Sequence, residues 1–340
     1  MIPDDKLKEI RQALLDSARP LIFFDDDPDG LCAFLQFYKL NPEAKGIIYK
    51  VAGPLDERFL KKVETYQPDK IFILDVPRVA QKFINAIKRE IYWLDHHAPV
   101  KRNNVRYYNP MLKNKKDNRP TSYWASKVTQ NSLWLAMTGC VADWFLPKDL
   151  KKGFSEEYPD LLPRKIKTPQ DALFTTGIGK LARIFSFILK GSTQSAMTCV
   201  KILTRISDPY EILKQSTPKG KFIWKKYKKI YNNYKEIKDS IKVSKDKIIL
   251  YIYSESKMAL TADLSNEVLY ENPDKFIIIG REKSGEVKCS LRSTKYNVLP
   301  ILEKALQGIQ GYGGGHLHAC GANIKTEDFD RFVNNIRKQL

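Results

Sequence analysis

Three short apolar runs each end in acidic residues. LIFF precedes Asp25-Asp26-Asp27-Pro28-Asp29-Gly30, IFIL precedes Asp75, and IYWL precedes Asp95-His96-His97. Carboxylates gathered at one place repel one another and resist ionisation unless cations neutralise them. Oxygen donors joined by an imidazole suit Mn²⁺ or Mg²⁺ better than zinc, which favours sulfur and nitrogen. In an extended chain, residues i and i+2 point the same way, so Asp25, Asp27 and Asp29 are expected to converge. Gly30 is expected to permit a tight turn into a helix that begins at Leu31. The competing reading of any single Asp is a helix cap or a solvated loop, and it fits Asp26 best. The chain has four histidines, His96, His97, His316 and His318. Two follow a strand end among the acids, and two lie in the stretch Gly313-Gly314-Gly315-His316-Leu317-His318. Gly-rich backbone lets a phosphate approach N–H groups closely, with a donor side chain completing the cradle. By itself such a stretch also reads as an ordinary turn.

The elements that must position these groups follow from the apolar pattern. Strands are expected at 21–24, 47–51, 71–74, 91–94 and 105–108, with helices near 4–17, 31–40, 56–66 and 79–90. Short, almost continuous apolar strands alternating with helices predict a parallel sheet covered on both faces. The carboxyl ends of such strands share one edge, outside which ligand crevices lie. A further helix over 122–137 precedes Asp143. Between 149 and 247 the strand signal fades into basic, helical sequence. There Ile223, Tyr227, Ile230, Tyr234, Ile237 and Ile241 step 4-3-4-3-4, the apolar stripe of one long helix. Its other faces carry Lys221, Lys225, Lys226, Lys228 and Lys229, either a solvated face or a path for a phosphate backbone. Strands return at 248–253, 276–279 and 287–291, followed by a helix over 298–306, a Gly-rich loop and a closing helix from 326. The expected fold is α/β in three parts. These are a parallel-sheet domain (1–148), a helical basic connector (149–247) and a smaller C-terminal α/β domain (248–340).

The 340 residues carry a formal charge of +19, which favours polyanionic partners, and 43% hydrophobic residues, which excludes wholesale disorder. The charge is uneven: +6 over 1–148, +12 over 149–247 and +1 over 248–340. A uniform lysine bias would raise all three parts together, so the middle third reads as an anion-binding surface. No window reaches the roughly 18–20 uninterrupted apolar residues of a membrane helix. The first twenty residues lack the apolar core of a signal peptide. The five scattered cysteines suggest neither disulfides nor a zinc knuckle. A soluble, cytoplasmic protein is the expectation.

The combination resembles the DHH phosphoesterase superfamily, particularly its RecJ-like, archaeal-type nucleases. Asp27-Pro28-Asp29-Gly30 is similar to the D-x-D-G motif, Asp75 to the single Asp of the second motif, and Asp95-His96-His97 to the eponymous triplet. Thr138-Gly139-Cys140-Val141-Ala142-Asp143 resembles the fourth motif. Cys289-Ser290-Leu291-Arg292-Ser293, Gly313-Gly314-Gly315-His316 and Ala319-Cys320-Gly321 resemble the DHH-associated C-terminal domain. The resemblance implies two divalent ions, Mn²⁺ ahead of Mg²⁺, ligated by Asp27, Asp29, Asp75, His96 and Asp143, with Asp75 bridging. It implies that His97 acts on the scissile phosphate or leaving group and that Asp95 holds the histidine pair. It also implies that Arg292, Ser293, Gly314, Gly315 and His316 bind substrate phosphate. Many members carry a histidine two or four residues before the first Asp of the D-x-D pair. Those positions here are Asp25 and Phe23, and Asp25 can serve as a ligand.

The implied activity is a metal-dependent exonuclease that hydrolyses single-stranded DNA or RNA by two-metal activation of water. Replication and repair proteins are the implied partners. Within the family, a nanoRNase or nucleotide phosphatase needs only the two terminal domains and acts on very short oligonucleotides. An inactive paralogue serving as a replication-complex subunit is the third reading. The basic middle part supports a chain-like polyanion over a small diphosphate. Trp224, Tyr227, Tyr231 and Tyr234 could stack bases, although their spacing better fits a core stripe.

Overall fold

The computed structural model describes residues 1–51, 53–254 and 258–340. Strands β1 (Leu21–Asp25), β2 (Lys45–Tyr49), β3 (Lys70–Leu74), β4 (Glu90–Leu94) and β5 (Arg106–Tyr108) form a parallel sheet in the order β2-β1-β3-β4-β5. The strands are apolar on both sides because both sides are covered. Phe23, Ile73 and Trp93 pack with Val79 and Phe83 on one face. Phe24 stacks on Phe34 with ring centroids 4.5 Å apart, and Phe72 meets Phe37, on the other. Chain order reverses direction across the sheet at β1, so the carboxyl ends of β1 and β3 flank the place where such folds leave a crevice. Asp25, Asp27 and Asp29 follow β1, and Asp75 follows β3.

Helices α1 (Asp4–Leu15), α2 (Pro28–Leu40), α3 (Leu60–Tyr66) and α4 (Gln81–Ala86) accompany the strands. The helix expected over 31–40 begins three residues earlier, because Asp27 caps it and Pro28 occupies its first turn. Gly30 therefore lies inside the first turn. Glycine is needed there for closeness, since a Cβ would sit 2.8 Å from the Asp25 nitrogen. The single helix expected over 122–137 is two helices, α5 (Thr121–Thr129) and α6 (Leu133–Ala142). Gln130 and Ser132, at φ 54° and 43°, turn the chain between them. Gly139 lets α6 approach α5 closely, for a Cβ there would meet the Ser122 hydroxyl at 2.4 Å.

The described residues fall into two compact units, 1–227 and 228–340. Helices α7 (Lys148–Glu157), α8 (Pro169–Thr175), α9 (Gly177–Ile188), α10 (Thr193–Leu203) and α11 (Pro209–Leu213) belong to the first unit. The long helix α12 (Pro218–Asp239) continues from the first unit into the second. Its apolar stripe is buried at Ile223, Tyr227, Ile230, Tyr234 and Ile237, whereas Trp224 and Tyr231 are half-buried. Tyr227 and Tyr234 are thus core residues.

The second unit is a mixed sheet of β6 (Ile248–Ser254), β7 (Phe276–Lys283), β8 (Glu286–Arg292), β9 (Gly311–His316) and β10 (Ala319–Lys325), ordered β6-β7-β8-β10-β9. Only β6 and β7 run parallel. Helices α13 (Thr261–Glu271), α14 (Val298–Ala305) and α15 (Phe329–Arg337) complete it, with Phe276, Leu291, Leu302, Ile324 and Phe332 in its core. Ser284 and Gly285, at φ 52° and 75°, form the two-residue turn between β7 and β8. The Gly-rich stretch expected as a loop is instead the exposed edge strand β9, hydrogen-bonded along its length to β10. All five cysteines are buried thiols. Among the described residues, no helix is long and apolar enough to cross a membrane.

Candidate metal centre

Asp25 ends β1, and the Asp27 carboxylate accepts from the Gly30 amide at 2.9 Å as the cap of α2. Asp26 points elsewhere and pairs with Lys50 at 3.4 Å. Because α2 starts at Pro28, Asp29 is helical and does not stay in line with Asp25 and Asp27. It is 1% exposed and accepts from the Thr121 and Ser122 amides, at 2.7 and 2.9 Å, in the first turn of α5. Those amides are helix-end donors that lack intrahelical partners, and α5 has no side-chain cap of its own. Asp75 leaves β3 in the left-handed region at φ 63°, a conformation Asp tolerates better than most residues. It is fully buried, and its Oδ1 accepts from the Thr121 hydroxyl at 2.9 Å. Its Oδ2 is buried with no hydrogen-bond partner among the described residues.

The two histidines are held in opposite senses. His96 Nδ1 lies 3.2 Å from the Asn118 carbonyl, which only accepts, so this nitrogen carries the proton. Its Nε2 then faces three carboxylates, Asp75 Oδ1 at 3.5 Å, Asp143 Oδ2 at 3.7 Å and Asp29 Oδ2 at 3.8 Å. His97 Nδ1 donates to Asp95 Oδ1 at 2.8 Å, leaving Nε2 uncommitted. Asp95 is itself fully buried, with Tyr107 Oη at 3.2 Å and Asn109 Nδ2 at 3.3 Å donating to its other oxygen.

Donor atoms of Asp25, Asp27 and Asp75 lie within 4.8 Å of one another, and so do those of Asp29, His96 and Asp143. A third such set, Asp75, His96 and His97, links the two. Burial first, and the neighbouring carboxylates second, push Asp25 up to about 7 and Asp143 up to about 9. Asp27 and Asp75 are raised by the same causes in the same order. Burial opposes the charge on His97, yet the Asp95 hydrogen bond and the charges of Asp95, Asp27 and Asp143 outweigh it and raise His97 to about 9. A cation fits this arrangement. It would satisfy the orphaned Asp75 oxygen, sit where His96 Nε2 meets three carboxylates, and relieve the mutual repulsion. All-oxygen donors with one imidazole match Mn²⁺ or Mg²⁺.

Residues 245–340 match the family model of the DHHA1 domain. No curated protein matches the sequence. The structure is similar to RecJ from Thermus thermophilus in complex with Mn²⁺, with a TM-score of 0.68 and 16% identity, over 99% of this chain and 55% of that one. This is a RecJ-like DHH fold. The chain spans about half the length of that RecJ. The likeness extends to an exonuclease RecJ bound to manganese, at a TM-score of 0.62 and 14% identity over 100% of this chain and 94% of that one. It extends also to CDC45 from Entamoeba histolytica, at a TM-score of 0.55 and 11% identity over 99% of each chain. The carboxylates predicted from sequence to meet a metal, with His96 and His97, gather in the first unit.

The residues predicted to bind phosphate lie in the DHHA1 unit, in different settings. Arg292 is mostly buried, which lowers its pKa, and donates through Nε to Asn266 at 2.8 Å and through Nη1 to the Leu291 and Cys320 carbonyls. The Ser293 hydroxyl is buried, donates to the Lys275 carbonyl and accepts from the Lys295 and Tyr296 amides, which commits it to the turn after β8. Gly314, Gly315 and His316 are exposed on β9. A side chain at Gly314 would meet nothing within 4 Å, whereas Gly315 has φ 149° and no room beside the Ala319 carbonyl.

Thr121, Ser122, Asn118, Tyr107 and Asn109 are not legible as site residues in the sequence; the first three contact Asp29, Asp75 and His96, and Tyr107 and Asn109 hold Asp95. A Pro120-Thr121-Ser122 helix start was the available signal for the amides. Thr121→Val removes the hydroxyl donor to Asp75 while keeping the amide on Asp29. Mn²⁺ affinity measured by titration calorimetry is expected to fall roughly 10- to 100-fold, with melting temperature little changed.

Proposed function

We propose that the chain is a metal-dependent phosphodiesterase that acts as an exonuclease on single-stranded DNA or RNA. The observation that carries this reading is the buried, unpartnered Asp75 oxygen at the meeting point of the carboxylate and histidine sets. Asp25, Asp27 and Asp75 would hold one divalent cation, and Asp29, His96 and Asp143 would hold a second. Such cations would supply Lewis-acid activation of water and charge neutralisation of phosphate oxygens. Asp95 accepts from His97 Nδ1–H and stabilises the imidazolium, whose Nε2–H would donate to the phosphate or the departing oxygen. The Thr121 and Ser122 amides keep Asp29 from rotating away, and Asn118 aims His96. No protein nucleophile is required.

In the DHHA1 unit, His316 on the open edge and the Arg292 Nη2, which has no bond to another group among the described residues, grip substrate phosphate beside Gly314 and Gly315. Ser293 shapes the turn rather than touching substrate. His316→Ala is expected to raise KM roughly tenfold with a smaller effect on kcat, in steady-state assays. A comparable loss in kcat alone would remove it from substrate binding.

A full ligand set supports an enzyme over an inactive paralogue. The test is Mn²⁺-dependent digestion of 5′- and 3′-labelled DNA and RNA, from dinucleotides to long strands. Processing of long single strands is expected. Activity confined to the shortest oligomers would favour a nanoRNase, and none on any substrate would overturn the reading.

A further inference from the structure

Helix α12 contradicts the usual rules for a solvent-facing helix. Its sequence PKGKFIWKKYKKIYNNYKEIKD holds eight lysines and two acids, and both acids fall in the final turn. Cations are favoured at a helix C-terminus and acids at its N-terminus. Here the first turn has no acid, and the lysines begin at the second residue. Solvated helices normally intersperse Glu with Lys at i,i+4. In α12, Lys221, Lys225 and Lys229 follow one another at that spacing, and Lys228 stands three residues after Lys225, so like charges face like charges.

The exposed side chains Lys221, Lys225, Lys228, Lys229 and Lys235 lie opposite the buried stripe. None of the five has an acidic partner among the described residues. Other lysines do, as in Lys6–Glu9, Lys127–Asp149 and, in the last turn of α12 itself, the pairing of Lys238 with Glu267 and Glu271. The ring of Trp224 beside the row is covered by Lys180 at 4.6 Å, so the row offers ammonium groups rather than an open stacking face. Successive i,i+4 lysines rise about 6 Å along the axis, and the row from Lys221 to Lys235 extends about 21 Å. Flexible four-carbon stems can match such a row to consecutive phosphates without reading bases.

We propose that this lysine row is a sequence-independent binding track for the phosphodiester backbone of a single nucleic-acid strand. The identity of the strand rests on the proposed function; the track itself is tested without turnover. The binding of a labelled oligothymidylate long enough to span the row is followed by fluorescence anisotropy in EDTA across a salt series. The triple variant K221A/K225A/K229A is compared with K61A/K82A/K115A, which removes equal charge from exposed lysines outside α12. The α12 variant is expected to bind roughly tenfold more weakly, and its slope of log affinity against log salt should fall by about two. Its melting temperature should hold or rise, because like-charge neighbours are removed and alanine favours helix. Equal losses in both variants would mean general electrostatics and overturn the track, as would unchanged affinity in the α12 variant. Tighter binding of poly-glutamate than of the strand, at equal charge, would assign the row to an acidic protein instead. Loss of hydrolysis with the track intact would overturn only the enzymatic reading.

Discussion

Asp75→Asn leaves less than about one thousandth of the Mn²⁺-dependent hydrolysis and does not unfold the protein. Asn keeps the shape of the side chain, tolerates the left-handed backbone at φ 63°, and still accepts from the Thr121 hydroxyl. What it removes is the negative charge that both proposed cation sites share. In the metal-free protein that charge is a liability, since burial and four neighbouring aspartates oppose it. The variant is therefore expected to melt at or above the temperature of the unmodified protein in EDTA, while losing most of its stabilisation by Mn²⁺. Near-normal turnover in a steady-state assay would remove Asp75 from the chemistry. A lower melting temperature in EDTA would show that the carboxylate has a structural role instead.

Metal and pH should act on stability in opposite directions. Asp25 and Asp143 titrate near 7 and 9 in the folded chain, well above the roughly 3.9 of an unfolded aspartate. A carboxyl raised by folding contributes stability that is complete below its unfolded pKa and is lost as pH rises through the folded value. In EDTA, the melting temperature of the protein is thus expected to fall as pH rises from 5 through about 7 to about 9. Divalent cations bind the ionised carboxylates and displace those protons, so the gain from Mn²⁺ should grow over the same range. One site held at a hundredfold excess over its Kd adds about 2.7 kcal/mol, or roughly 5–10 °C for a unit of this size. A melting temperature in EDTA that rises with pH, or a Mn²⁺ gain that shrinks with pH, would contradict the arrangement of buried acids.

The strands and their acidic ends are legible because a buried parallel strand needs an unbroken apolar run, and a charged residue can only follow it. What the sequence does not disclose is which acids meet. Asp29 leaves Asp25 and Asp27 because Pro28 opens the helix early, and its partners Thr121 and Ser122 lie 92 and 93 residues away. The break between α5 and α6 falls at Gln130 and Ser132, neither of which is a helix breaker by type. The edge strand β9 reads as a loop because glycine is depleted in strands, and only its pairing with β10 makes it one. Ser293 belongs to a motif by position, yet its hydroxyl closes a turn. The stripe of α12 is plain from spacing alone, since all but its last member lie in the helix and each of those is buried.

Two divalent cations are expected to share Asp25, Asp27, Asp29, Asp75, His96 and Asp143, which lie at the ends of β1, β3, β4 and α6. The most direct test is an anomalous difference map from crystals of the protein soaked in Mn²⁺. The expected result is two peaks, one among Asp25, Asp27 and Asp75 and one among Asp29, His96 and Asp143. Crystals saturated with Mn²⁺ that show no peak among these side chains, or a single ion that Asp75 does not touch, would contradict it.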